Sequence, residues 1–308
     1  MPPASEPRAV PLFDTYAMLD WSAEGAPKTG ANSIWLAVGR RTRAGLALGA
    51  PENLPTRAAA REAVGRLLQG EVQAGRRTLL GVDFPLGYPA GLAAALGLAG
   101  PAWRATWEVL GALITDGPTN RNNRFAVAAQ LNARTYGEAF PFWGCPAAAV
   151  APTLSPRRPR EGWGQPRVAE FRVAEAHARG ASSPWKLAYP GSVGGQALVG
   201  IPVARAWRGD PALAAHLRVW PFETGLRALG PDDVPPGRVV LAEVYPSLLR
   251  LAGNPALVRD ARQVQTLVQA FATRDAAGTL GGRFAGPPGL TATQAEAITA
   301  EEGLILQP

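Results

Sequence analysis

Short apolar runs that each end on an acid dominate the front of the chain. Thr15 to Asp20 (TYAMLD) reads as a buried strand, and Ser33 to Gly39 and Gly45 to Gly49 read as the next two strands, joined by a turn at 40–43. Thr56 to Gln73 carries Ala60, Val64, Leu67 and Leu68 at helical spacing behind Thr56 as an N-cap. Thr78 to Asp83 is a further buried strand, stopped by Pro85. This β-β-β-α-β opening then loses its rhythm. Helical spacing recurs at 91–115, 121–134 and 167–179, separated by an aperiodic Arg/Pro stretch over 152–166 and followed by a Gly-rich segment over 191–200, read as a loop. Two more apolar runs end on acids, Leu217 to Glu223 and Val239 to Glu243. A helix over about 256–273 and a short one over about 291–301 close the chain. The pattern predicts an α/β core from 13–89 and 216–308 around an inserted, mostly helical and loop-bearing subdomain at 90–215.

Composition narrows the class. At 308 residues, 47% hydrophobic and 18% charged, the chain supports a sizeable core and is not disordered. The single cysteine, Cys145, excludes an intramolecular disulfide framework, and the two histidines, His177 and His216, are far apart in sequence. Residues 1–12 read as a Pro-rich leader without signal-peptide character, and no apolar run is long enough for a membrane span, so a cytoplasmic location is expected. Net charge is +7; Lys28 and Lys186 are the only lysines, so arginine supplies the rest of the 31 basic residues. Arginine suits phosphate, although compositional bias toward Ala, Gly, Arg and Pro accounts for most of these positions.

Candidate chemistry lies where the apolar runs end. Asp20, Asp83, Glu223 and Glu243 each close a predicted strand, and ligands of open α/β sheets bind outside such strand ends. Acids on adjacent strands, about 4.8 Å apart, repel one another unless a cation neutralises them, and oxygen ligands suit Mg²⁺ or Mn²⁺. The same acids also cap helices or pair with arginine. Asp260, opening the last long helix, either complements the helix dipole or joins the acidic cluster. A second constellation, Asn120 to Phe125 (NRNNRF), offers Asn122, Asn123 and Arg124 either as helix caps or as a phosphate cradle. Trp143, Arg172, Lys186 and Gln196 complete the candidate substrate-binding set with Glu223. Arg172 and Glu175, three residues apart, also fit a solvated surface pair. Gly191 to Gln196 matches neither the dinucleotide nor the phosphate-loop spacing.

VDFPLG at 82–87 and EVYPSLL at 243–249 resemble a bacterial family described as predicted nucleases of the ribonuclease H-like fold. LDWS at 19–22, NNRF at 122–125, PFWG at 141–144, GSVGGQ at 191–196, WPFE at 220–223 and RDARQV at 259–264 resemble one branch of it. Some members of that branch are labelled for molybdopterin guanine dinucleotide synthesis. The resemblance implies a ribonuclease H-like mixed sheet and a metal-dependent phosphodiester hydrolase acting on a nucleic acid or nucleotide-like substrate. It implies Asp20, Asp83 and Glu243 as ligands of Mg²⁺ or Mn²⁺ and Asp260 as the last catalytic acid, with Gln263 and Gln265 where relatives more often carry an acid. The alternatives are a degenerate member that binds nucleotides or nucleic acid without cleaving them, or a step in nucleotide-cofactor synthesis.

Overall fold

The computed structural model describes residues 10–178, 180–252 and 254–308; most of the leader expected at 1–12 lies outside them. Strands β1 (Thr15–Asp20), β2 (Ile34–Thr42), β3 (Gly45–Leu48) and β4 (Glu52–Leu54) precede helix α1 (Arg57–Gln73) and strand β5 (Thr78–Val82). Helices α2 (Leu92–Ala95), α3 (Ala102–Leu113), α4 (Arg124–Thr135), α5 (Val173–His177) and α6 (Gly194–Gly209) follow. The chain then re-enters the sheet as β6 (Leu217–Val219) and β7 (Val239–Glu243), and ends in α7 (Arg259–Ala276), α8 (Leu280–Arg283) and α9 (Ala292–Ala297).

The protein is an α/β fold built on a mixed seven-stranded sheet ordered β3-β2-β1-β5-β7-β6, with β4 also paired to β2. β1, β2 and β3 are antiparallel neighbours, whereas β1, β5, β7 and β6 run parallel. β1, β5 and β7 are nearly wholly buried, as expected of parallel strands covered on both faces. One face packs on α7, with Tyr16, Met18, Leu79, Val240 and Ala242 against Val264, Leu267, Val268 and Phe271. The other packs on α1, α3 and α6. Thr56 caps α1 as its sequence predicts, accepting from the Ala59 N–H at 3.1 Å.

Four expectations change. The helix expected over 91–115 is split into α2 and α3, that over 167–179 shrinks to α5, and β4 was not foreseen. The Gly-rich segment read as a loop starts the sixteen-residue helix α6. Glycine costs about 1 kcal/mol in a helix, but here it permits contact: a Cβ on Gly200 would lie 2.7 Å from the Phe84 ring, and one on Gly194 would strike the carbonyl of Pro184.

Asp275 of α7 fastens the start of the described chain. Its carboxylate accepts from the backbone N–H groups of Leu12 (2.8 Å) and Phe13 (2.9 Å) and from the Tyr16 hydroxyl (2.5 Å), all buried. Asp275→Ala orphans these donors, so a loss of roughly 2–3 kcal/mol is expected, read as a lower urea midpoint; an unchanged midpoint would mean that water replaces the carboxylate.

Candidate functional site

Register decides which acids meet. Leu19 pairs with Val82, and Val82 with Glu243, so these three form one lateral row and share a sheet face. Asp20 and Asp83 each lie one residue further along and therefore face the opposite way, toward α7, whose first turn carries Asp260. The ladder extends to this level through the Asp83 N–H, which donates to the Leu19 carbonyl at 3.2 Å.

The Asp20 and Asp83 carboxyl groups lie within hydrogen-bonding reach of each other. The Trp21 N–H donates to Asp83 Oδ1 at 2.6 Å, and the Asn32 N–H donates to Asp260 Oδ2 at 2.6 Å. Among the described residues, no guanidinium or ammonium pairs with Asp20, Asp83 or Asp260. Burial, then the Asp83 charge, then that of Asp260, hold the Asp20 carboxyl well above the ordinary carboxylate range. Burial pushes Asp83 up to about 7; its hydrogen bonds oppose this and the Asp260 charge reinforces it. Asp20 and Asp83 do not both ionise at neutral pH unless a cation lies between them.

Glu243, expected as a metal ligand, is a correction. Its carboxylate accepts from Arg172 Nη2 at 2.7 Å and Nη1 at 2.8 Å, and from the Leu86 N–H at 3.1 Å. It lies on the other sheet face and is already neutralised. Arg172 is likewise withdrawn from the substrate set: it is buried between Glu175 and Glu243, and its Nη1 also donates to the Glu302 carbonyl. Glu223 is held by Arg208 at 2.8 Å and accepts from the Val219 N–H, so it closes the turn after β6. Asn123 is spent on backbone, accepting from the Thr115 N–H and donating to the Leu113 carbonyl.

Of the remaining candidates, Gln196 borders the exit of β1. Gln196 Nε2 donates to the Trp21 carbonyl at 2.5 Å, tying α6 to the residue after Asp20. Asn122 Oδ1 accepts from Arg124 Nη1 at 3.0 Å. Trp143 pairs by backbone with Lys186, whose Nζ stands 5.8 Å from the indole centroid.

Arg57 was not foreseen. It is buried at the first position of α1, bonds Asp116 at 2.5 and 2.7 Å, and donates to the carbonyls of Ser22 and Glu24, fixing the loop that leaves Asp20. A cation at a helix N-terminus opposes the dipole, which is the signal that marks it. Asn32 left no such trace, because it acts through its backbone.

Cavities of about 620 and 640 Å³ open on the α1/α3/α6 face. Several of their arginines already hold carboxylates, Arg57 with Asp116, Arg205 with Glu108 and Arg208 with Glu223, so neither competes with the aspartates as the site.

The donor chemistry at Asp20 and Asp83 suits a hard divalent cation: two facing carboxyl oxygens and, among the described residues, no competing cation. Asp260 adds charge without completing a cage, since no group of three or more His, Cys, Asp and Glu side chains among the described residues is placed to hold a metal together. None of the described helices is long and apolar enough to cross a membrane. No protein-family model, curated protein or solved structure matches the chain.

Proposed function

We propose that the protein is a divalent-cation-dependent phosphodiester hydrolase with a ribonuclease H-like chain path, acting on a nucleotide or nucleic-acid substrate. The observation that carries this reading is the facing pair Asp20 and Asp83, at the ends of adjacent parallel strands and, among the described residues, without a cationic partner. The sheet order supports it: an antiparallel β3-β2-β1 meander extended by parallel β5 and β7, with acids closing β1, following β5 and opening α7. Asp20 and Asp83 would hold Mg²⁺ or Mn²⁺, which when bound activates water and neutralises phosphate charge. Asp260, oriented by the Asn32 N–H, increases the negative field at the pair. The Trp21 N–H fixes which Asp83 oxygen stays free. Gln196 keeps the β1 exit in place beneath α6.

Thermal unfolding with increasing Mg²⁺ or Mn²⁺ tests the reading. Binding at a hundred times Kd should stabilise by about 2.7 kcal/mol, and Asp20→Asn should remove the shift. Alongside it, release of nucleotides from single-stranded and duplex oligonucleotides and from dinucleotides separates polymer from small substrates. Should neither cation shift the transition, the pair shares a proton instead and the hydrolase reading fails.

A further inference from the structure

Arg124 and Arg238 are half-buried arginines whose Nε, shielded from solvent, finds no acceptor among the described residues, but Arg238 still donates to the carbonyls of Ala215 and His216. Arg57, Arg172 and Arg208 each grip a carboxylate, whereas Arg124 has no carboxylate partner among the described residues. Among the described residues its Nη1 reaches only the Asn122 amide oxygen, and its Nε, shielded from solvent, has no acceptor. Its guanidinium carbon lies 4.4 Å from the Phe125 ring centroid, which sets the plane of the group. Burial, then the nearby Arg57 charge, lowers its pKa to about 10, and the carboxylates of Glu24 and Asp116, which do not bond it, only partly offset this.

A Cβ on Gly195 would lie 3.4 Å from Arg124 Nε, 3.4 Å from the Ala23 Cβ and 2.5 Å from the Leu187 carbonyl, so only glycine keeps this approach open. Lys186 borders the start of the same 191–196 segment, its Nζ 3.9 Å from where a Cβ on Gly191 would stand. Its Nζ donates to the Pro190 carbonyl at 2.7 Å and has no carboxylate among the described residues. Ala23 is three residues beyond Asp20, so their α carbons are at most about 11 Å apart.

We propose that Arg124, Asn122 and Lys186 form an anion subsite that receives a second phosphate of the substrate, next to the phosphodiester presented to Asp20 and Asp83. This rests on the hydrolase reading for its second phosphate, but not for the binding of phosphate itself. A guanidinium with an unfilled N–H and an ammonium bordering the same segment suit a phosphate dianion.

The test is equilibrium binding to the full chain in EDTA. The probes are inorganic phosphate and a thymidine dinucleotide with or without a 5′-phosphate. The wild type should bind phosphate saturably, and the 5′-phosphate should tighten the dinucleotide by about tenfold, the scale of one charge-assisted hydrogen bond. Arg124→Gln should abolish that increment and Arg124→Lys should keep part of it. Should Arg124→Gln not fold, Lys186→Gln on the exposed flank should still lose about threefold, since an exposed ion pair is worth less. Asp83→Asn should keep the increment. If the wild type keeps the increment but cleaves no dinucleotide once Mg²⁺ or Mn²⁺ is added, the hydrolase reading fails and the subsite stands. No increment in the wild type, or an undiminished one in Arg124→Gln, overturns the subsite.

Discussion

Arg172→Met should lower stability by about 3–5 kcal/mol, the cost of leaving buried charge without its partner. The guanidinium is buried and carries Glu175 at 2.6 Å, Glu243 at 2.7 Å and the Glu302 carbonyl at 2.9 Å. Its loss strands two carboxylates from separate parts of the chain. It also loosens the loop after Asp83, because Glu243 accepts from the Leu86 N–H and Glu302 from Ala90 and Val173. Burial raises the Glu175 carboxyl even in the intact cluster, and Arg172 is the main force opposing that rise. Without Arg172 it moves higher. A carboxyl raised in the folded state binds its proton more tightly there than in the unfolded chain, so its contribution to stability is present at low pH and lost as pH rises through the folded value. The deficit of Arg172→Met should therefore be greatest at pH 7 and above and shrink toward pH 5. Replacing Glu175 and Glu243 by glutamine in the same chain should recover part of the loss. Urea unfolding at both pH values decides this; a pH-independent loss below about 1 kcal/mol would mean that the cluster is wetter than its burial implies.

The same cluster shows where sequence reasoning stopped. The apolar runs of β1, β5 and β7, the cap on α1 and the inward face of α7 were legible because burial on both faces leaves unbroken hydrophobic stretches. That same feature hid the direction of the terminal acids. TLLGVD and VVLAE look alike, yet Asp83 lies one residue beyond the row shared by Val82 and Glu243, and one residue exchanges the faces of a sheet. Only strand pairing separates Asp83, which meets Asp20, from Glu243, which meets Arg172. Arg172 and Glu175 matched a solvated helical pair because their spacing carries no record of burial. The start of α6 was missed because its glycines answer to Phe84 and Pro184, contacts distant in sequence. Asp20, Asp83 and Asp260 could be proposed from sequence since each sits at the end of an element with a strong pattern.

Asp83→Asn should move stability and activity in opposite directions. In the wild type without divalent cation, Asp83 is raised to about 7 by burial, with the Asp260 charge reinforcing the rise. Its ordinary value is about 3.9. Between those values the folded chain holds a proton that the unfolded chain releases, so stability falls as pH rises from about 4 to beyond 7. Each unit of displacement corresponds to about 1.4 kcal/mol, and Asp20 shares the proton, so a gain on the order of 2 kcal/mol at pH 8 in EDTA is expected on removing the charge. Asparagine keeps an oxygen for the Trp21 N–H, which in the wild type donates to Asp83 at 2.6 Å, and fills nearly the same volume. At pH 5, about one unit into a span of about three, roughly a third of the difference should remain. In Mg²⁺ or Mn²⁺ the order should reverse, because the wild type gains from binding and the variant does not. Phosphodiester cleavage should fall by more than about a hundredfold, beyond the cost of losing an outer partner of a metal ligand. The decisive comparison is the urea midpoint at pH 5 and pH 8, with EDTA and with cation, for both proteins. Equal destabilisation of Asp83→Asn at both pH values, with the cation response intact, would make Asp83 an ordinary buried acceptor and leave Asp20 and Asp260 without a shared site.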